Sequence, residues 1–213
     1  MIYLDNAATT PVKPEALQAA WPWLTSEFGN PSSQHELGFR AKEALADARA
    51  RVARFLNAKN SEVIFTSGGT ESNNLAIKGL YWERNKNEAS RRKIVSAYTE
   101  HHAVIDAIEW LETHEGAEAI WVPVDHEGVV DFEWYRNFLA EHNEEIALVT
   151  FMLANNETGV ITELEKFLVL AKTHEIPSHS DAVAAFGHLR IDFHTLGLST
   201  MAISAHKVGG PVG

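Results

Sequence analysis

Late in the sequence, Ser204-Ala205-His206-Lys207 follows the apolar run Met201-Ala202-Ile203 and precedes Val208-Gly209-Gly210-Pro211. The pattern is that of a short strand that delivers a serine, a histidine and a lysine to a sheet edge. It then breaks where neither helix nor strand continues easily. An amine held there can condense with a carbonyl compound to a Schiff base, and an enclosing pocket would keep part of it neutral. A solvated surface lysine has the same local sequence, so Lys207 acquires a role only through the groups that accompany it.

Such groups recur where other strands are expected to end. Ser67-Gly68-Gly69-Thr70 separates the β-branched and aromatic run Val63-Ile64-Phe65-Thr66 from a helical stretch, Glu71 to Gly79. Glycines let the backbone approach an anion, N–H groups at a helix start point toward it, and Thr70 adds a hydroxyl. The turn therefore suits a phosphate, and it equally suits a plain strand-to-helix turn capped by Thr70. It fits neither the nucleotide P-loop nor the dinucleotide fingerprint, which favours a small phosphorylated cofactor. His101 after Thr99-Glu100, Asn156 in Asn155-Asn156-Glu157-Thr158-Gly159, and Asp181 in His179-Ser180-Asp181 fall at further strand ends. Each has a structural alternative: His101 or His102 can open a helix, Asn155 and Asn156 can be turn residues, and Asp181 can cap the backbone just after it.

The elements that must position these groups alternate in type. After the small-residue loop Asp5 to Pro11, helices are expected over Glu15 to Trp23 and Gly38 to Leu56. The second carries Phe39, Ala41, Leu45, Ala48, Val52, Phe55 and Leu56 at helical spacing. Strands are expected at Val63–Thr66, Lys93–Ala97, Ala119–Val124, Ile146–Met152, Ser178–Val183 and Thr200–Ser204. Helices near Ala103–Thr113, Phe132–His142 and Glu163–Thr173 lie between them. Such alternation implies an α/β fold, a mostly parallel sheet with helices on both faces, whose ligands sit at the carboxyl ends of strands. No repeat or linker interrupts it, so one domain or part of one is expected.

Composition narrows the partners. The 213 residues are 45% hydrophobic, and 18 Lys+Arg against 29 Asp+Glu leave a net charge of -11. That charge opposes general binding to nucleic acid or anionic membrane, so small molecules are the expected partners. With no cysteine there is neither a disulfide framework nor a thiolate metal site. Nothing at the N-terminus reads as a signal peptide, and a cytoplasmic location is the expectation.

A lysine for a Schiff base, an aspartate for a protonated pyridine nitrogen, a ring to stack on the pyridine and a Gly/Ser/Thr/His cradle for a phosphate are what pyridoxal phosphate requires of a protein. The interval from Asp181 to Lys207 holds the end of one strand, a connection and the next strand. Both groups can thus reach one cofactor from adjacent strands.

The sequence also resembles the class V aminotransferase-like cysteine desulfurases, which supply sulfur for iron-sulfur clusters. The resemblance runs in order from Tyr3-Leu4-Asp5-Asn6-Ala7-Ala8-Thr9-Thr10-Pro11 through Phe28-Gly29-Asn30-Pro31-Ser32-Ser33 and Phe65-Thr66-Ser67-Gly68-Gly69-Thr70-Glu71-Ser72. It continues through Thr99-Glu100-His101, Asn155-Asn156-Glu157 and His179-Ser180-Asp181-Ala182-Val183 to Ser204-Ala205-His206-Lys207. It implies a pyridoxal-phosphate fold of the aspartate-aminotransferase type, a homodimer, and an amino acid substrate such as L-cysteine. A sulfur-acceptor or scaffold protein is a further implied partner. By the same resemblance Lys207 bonds to the cofactor, Asp181 pairs with the pyridine nitrogen, and His101 stacks on the ring and helps in proton transfer. Asn156 would face the ring hydroxyl, while Gly69, Thr70, Ser204 and His206 hold the phosphate.

Two departures qualify the resemblance. Ala184 stands where the family commonly has a glutamine, three residues after the aspartate. The sequence also stops at Gly213, whereas the family continues with the rest of the sheet, a small C-terminal domain, a carboxylate-binding arginine and a mobile cysteine. Residues 1–213 are accordingly expected to be an N-terminal segment plus most of the large domain, as the product of a shortened gene or one half of a split enzyme, inactive alone. A non-catalytic partner of a desulfurase is the alternative. A metal-dependent hydrolase built on His101, His102, His179, Asp181 and His206 is a third reading, which leaves Lys207 and the Gly-Gly-Thr turn without work.

Overall fold

The sheet begins from its most apolar strand. Ile146-Ala-Leu-Val-Thr150 is buried at every position, which an α/β sheet covered on both faces demands of a central strand. The computed structural model describes residues 2–212, and these divide into two compact units. One comprises the chain up to Phe65 with Ile191–Thr195 and the stretch from Ala205. The other comprises Thr66–Arg190 and Leu196–Ser204.

In the first unit, α1 (Pro14–Thr25) opens on proline, whose missing N–H is no loss at a helix start. α2 (Glu36–Leu56) begins where the His35 ring accepts from Gly38 N–H and ends on Asn57 in the left-handed conformation. Among the described residues α1 buries no side chain, and Leu17, Trp21, Trp23 and Leu24 are exposed.

The second unit holds the sheet. It starts with α3 (Gly69–Asn87), β1 (Lys93–Ser96), α4 (His102–Glu115) and β2 (Glu118–Trp121). α5 (Phe132–His142), β3 (Ile146–Thr150), α6 (Leu164–Thr173) and β4 (Ser178–Asp181) come next. β5 (Thr200–Ala202) is the last strand, and the short α7 (Phe193–Leu196), which precedes β5 in sequence, belongs mostly to the first unit. The five strands are all parallel, in the order β2-β1-β3-β4-β5. Ile77 and Tyr81 of α3 and Val104, Ile108 and Leu111 of α4 pack with Ile94 and Leu148 of the sheet in one buried cluster. Tyr135, Phe151 and Phe167 form a second, with ring centroids 4.9 to 5.5 Å apart.

The order of elements follows the sequence pattern, and two expectations are corrected. Val63–Thr66 is not a strand: Val63 is extended, but its carbonyl accepts from the Arg49 side chain, and no strand among the described residues pairs with it. An extended run becomes a strand only when a ladder satisfies its backbone. The helix expected to stop at Gly79 continues to Asn87. Nothing crowds Gly79, and burial of Ile77 and Tyr81 outweighs the roughly 1 kcal/mol that a helical glycine costs.

Because Leu148 is fully buried in the cluster, Leu148→Ala should lower unfolding free energy by about 3 kcal/mol. A urea midpoint close to that of the parent chain would show that β3 is not central.

Candidate functional site

β4 has no aliphatic residue. Ser178, His179, Ser180 and Asp181 are all buried, and polar groups out of water need partners to be tolerated. Strand alternation places His179 and Asp181 on one face, and the parallel register sets Thr200 beside His179 and Ala202 beside Asp181. Asn73, one turn into α3 and 1% exposed, lies over that face. Its Nδ2 donates to Asp181 Oδ2 at 2.7 Å, and its Oδ1 meets His179 Nε2 at 2.9 Å. His179 Nδ1 lies 2.9 Å from Thr200 Oγ1, while the backbone N–H of Val183 donates to Asp181 Oδ1 at 2.9 Å. Burial pushes the imidazole down to about 4, so His179 is neutral near pH 7.

The same contact fixes the start of α3. No side chain caps that helix terminus; instead Glu71 Oε2 accepts from Ser67 N–H at 2.5 Å, and the Ser67 side chain first, then this N–H, draw the Glu71 carboxyl below its ordinary value. A Cβ on Gly69 would come within 3.0 Å of Val183 Cγ2 and 3.8 Å of Ser204 Cβ. Glycine therefore keeps a close-fitting cradle open at a helix start, with Thr70 next in the turn and Ser204 beside it. An uncapped start of a long helix suits an anion.

His101 stands at the N-cap of α4, where its Nδ1 accepts from Ala103 N–H at 3.0 Å. The preceding residue anchors it: buried Glu100 accepts from Met152 N–H through Oε1 at 2.5 Å, just beyond β3. Leu153 N–H in turn donates to the Asp181 carbonyl at 3.0 Å. The His101 loop, the end of β3 and the end of β4 are thus one hydrogen-bonded edge. Burial first, and the Asp181 charge after it, push Glu100 well above the usual carboxylate range, and only the Met152 N–H opposes them.

Of the residues singled out in the sequence, the structure brings Gly69, Thr70, Asp181 and Ser204 to one end of the sheet and places His101 on the same edge. Asn156 instead donates to Glu157 Oε1 at 2.8 Å. It is Asn155 that is buried, accepting from Glu157 N–H and Thr158 N–H at 2.8 Å each and donating to the Thr99 carbonyl at 2.6 Å. His206 and Lys207 belong to the first unit. There His206 Nδ1 lies 3.1 Å from Thr9 Oγ1, Thr10 N–H donates to the His206 carbonyl at 3.0 Å, and Lys207 Nζ donates to the Ala7 carbonyl. Burial, and then the Lys207 charge, lower the His206 imidazole. Both ring nitrogens of His179 are engaged, and among the described residues no group of three or more His, Cys, Asp or Glu side chains is placed to hold a metal ion. Sequence reasoning missed Asn73, Thr200 and Glu100, and weighed His179 only as a metal ligand. The available signals were helical spacing from Thr70 to Asn73 and the two-residue step from His179 to Asp181.

A parallel α/β sheet with a helix-start cradle beside a buried carboxyl at its strand ends places the chain in the class of open α/β folds, whose ligands sit at the carboxyl ends of strands. The comparisons with known proteins then specify the family. The family model for class-V aminotransferases matches residues 2–213, and the chain belongs to that family. It is 46% identical over 213 residues to an IscS-like cysteine desulfurase of Mycobacterium tuberculosis, covering all of this chain and 54% of that protein. To the cysteine desulfurase IscS of Dictyoglomus turgidum it is 41% identical over 212 residues, covering 52% of that protein. Among solved structures, a NifS-like protein superposes with a TM-score of 0.93 at 34% identity, covering all of this chain and 57% of that one. SspA in complex with cysteine gives 0.92 at 33%, again covering all of this chain, and 59% of that one. The chain spans about half the length of the curated relatives it matches. No helix among the described residues is long and apolar enough to cross a membrane.

The raised Glu100 value has a definite sign in stability. A group that keeps its proton when folded stabilises fully below its unfolded value, 4.5, and loses that contribution as pH rises toward the folded value. His179 works in the opposite direction, losing stability as pH falls from 6.5 toward 4. As pH rises above 4.5 the Glu100 contribution should decline at up to about 1.4 kcal/mol per pH unit, against the opposite slope of His179 between pH 4 and 6.5. Glu100→Gln should flatten that decline in urea unfolding measured at successive pH values; an unchanged slope would show that Glu100 is ionised in the folded chain.

Proposed function

We propose that residues 1–213 comprise an N-terminal segment plus most of the large domain of a pyridoxal-phosphate-dependent cysteine desulfurase. The observation that carries this reading is the buried Asp181 carboxyl, hydrogen-bonded to Asn73 one turn into a helix whose uncapped start is held open by Gly69. These residues fit the cofactor: the helix start suits its phosphate and the carboxyl its ring nitrogen. When bound, pyridoxal phosphate supplies an electron sink for bond breaking at an amino acid's α-carbon.

The chain's own groups divide the remaining work. Backbone N–H groups at Gly69 and Thr70, with the hydroxyls of Thr70 and Ser204 and the ring of His206, hold the phosphate. Asp181 keeps a proton on the ring nitrogen. His101 covers the ring, and since its Nδ1 is taken by Ala103 N–H, Nε2 is its atom for proton transfer. Asn156 has to leave Glu157 to face the ring hydroxyl. Lys207, three positions after Ser204 in sequence, would supply the amine for the cofactor's carbonyl carbon and would have to leave the Ala7 carbonyl to do so.

The relatives' names, and cysteine in the SspA structure, support L-cysteine as substrate. The sequence holds no cysteine, so the sulfur-accepting thiol has to come from outside these residues, and turnover by them alone is not expected. Iron-sulfur cluster assembly, a cytoplasmic setting and a sulfur-acceptor or scaffold partner belong to the same reading. Exposed Trp21, Leu24, Phe28 and Phe39 support association with a second copy as a homodimer.

Borohydride reduction in the presence of pyridoxal phosphate, followed by peptide mapping, should place a single adduct on Lys207. Adducts spread over several surface lysines, or none, would overturn the reading and favour a non-catalytic partner of a desulfurase.

A further inference from the structure

The polar chain beneath Asp181 admits one direction when that group is ionised. A carboxylate only accepts, so the Asn73 amide must turn its NH2 to Asp181 Oδ2, as it does at 2.7 Å. The Asn73 oxygen then faces His179 Nε2 at 2.9 Å, and that nitrogen must carry the ring's proton. His179 Nδ1 is then left as an acceptor for the Thr200 hydroxyl, 2.9 Å away, while the Thr200 backbone, which also hydrogen-bonds the ring and raises its pKa, is the acceptor that the converse tautomer would use. The converse direction requires an NH2 or OH at the Oδ2 position of residue 181. Asn73 and His179 are each 1% exposed, so bulk water cannot substitute for either partner. Burial also keeps the imidazole uncharged, which a one-way chain needs.

We propose that Thr200, His179 and Asn73 form a one-way donor chain that fixes Asp181 as an oriented carboxylate before any ligand arrives, making the three positioning residues for recognition of a cationic heteroaromatic nitrogen. The ligand class rests on the function proposed above; the direction of the chain does not. Each link comes from a different element: Thr200 from β5, His179 and Asp181 from β4, Asn73 from α3. The chain therefore also sets the helix start against the two strands, and with it the Gly69 cradle relative to the carboxyl.

The direction is readable in the tautomer of His179. In the ligand-free chain, long-range proton–nitrogen correlation spectra near neutral pH should show His179 as the neutral Nε2–H form. An imidazolium, an Nδ1–H form or an average of the two overturns the proposal. Asp181→Asn supplies the sharper arm. Val183 N–H continues to claim an oxygen at the Oδ1 position, so the new NH2 faces Asn73, which must flip and reverse the chain. His179 should then switch to the Nδ1–H form, and in an Asn73→Leu background the same change should leave the tautomer where it was. No switch in Asp181→Asn overturns the proposal, whereas a purely structural Asn73 would not transmit it.

With nitrogen-labelled pyridoxal phosphate, Asn73→Leu should move the ring-nitrogen signal from the protonated toward the unprotonated position. A signal equal to the parent's denies Asn73 its positioning role. Should the parent chain not bind the cofactor, the proposed function fails while the ligand-free tautomer still decides the direction of the chain.

Discussion

Burying the carboxyl of Asp181, 3% exposed at the end of a strand without aliphatic side chains, is the constraint on which the rest of this structure depends. A carboxylate removed from water is tolerated only where hydrogen bonds replace its hydration. Here the replacements come from Asn73 and the Val183 backbone. To bring Asn73 over Asp181, α3 must start close against the ends of β4 and β5. That closeness is why Gly69 cannot carry a Cβ without pressing on Val183. The helix start that results is short of side-chain caps and rich in N–H groups at the place where the carboxyl lies.

The surrounding titratable groups are arranged so that their charges do not multiply. Burial holds His179 neutral near pH 7 and pushes the Glu100 carboxyl well above the usual carboxylate range, although both lie within the same edge as Asp181. Two ionised carboxyls in so dry a place would repel each other, and an imidazolium would offset the charge of Asp181. Glu100 also has structural work to do, because its Oε1 accepts from Met152 N–H and so secures the loop that carries His101. Its second oxygen, buried and without a hydrogen-bond partner, shows that this anchoring carries a cost. Functional edges commonly tolerate such local cost where the remaining fold is well packed.

Alternation of apolar runs and helical spacing was enough to read a parallel α/β sheet, because β1, β3 and the helices that cover them are decided by local pattern. The placement of Asp181 at a strand end and of Gly69 and Thr70 at a helix start was legible for a related reason, since both follow from local pattern. Asn73 and Thr200 were not, because their roles are contacts between β4, β5 and α3 that no local spacing records. The adjacent Asn155 and Asn156 show the same limit. Both suit a turn, and which of them points inward depends on the Thr99 carbonyl, far away in sequence. Val63–Thr66 has strand composition, yet composition does not provide a neighbouring strand.

The central claim is that the carboxyl, the helix start and the strand ends are assembled before any cofactor is present. Residue-resolved amide hydrogen exchange on the ligand-free chain tests it most directly, at Ser72, bonded to the Gly68 carbonyl, and at Ala182 and Val183, bonded to the Ala202 carbonyl and the Asp181 side chain. A prebuilt edge predicts that these amides are protected to the same degree as those of β3. Exchange at the rate of an open loop, with protection gained only after pyridoxal phosphate is added, would contradict it.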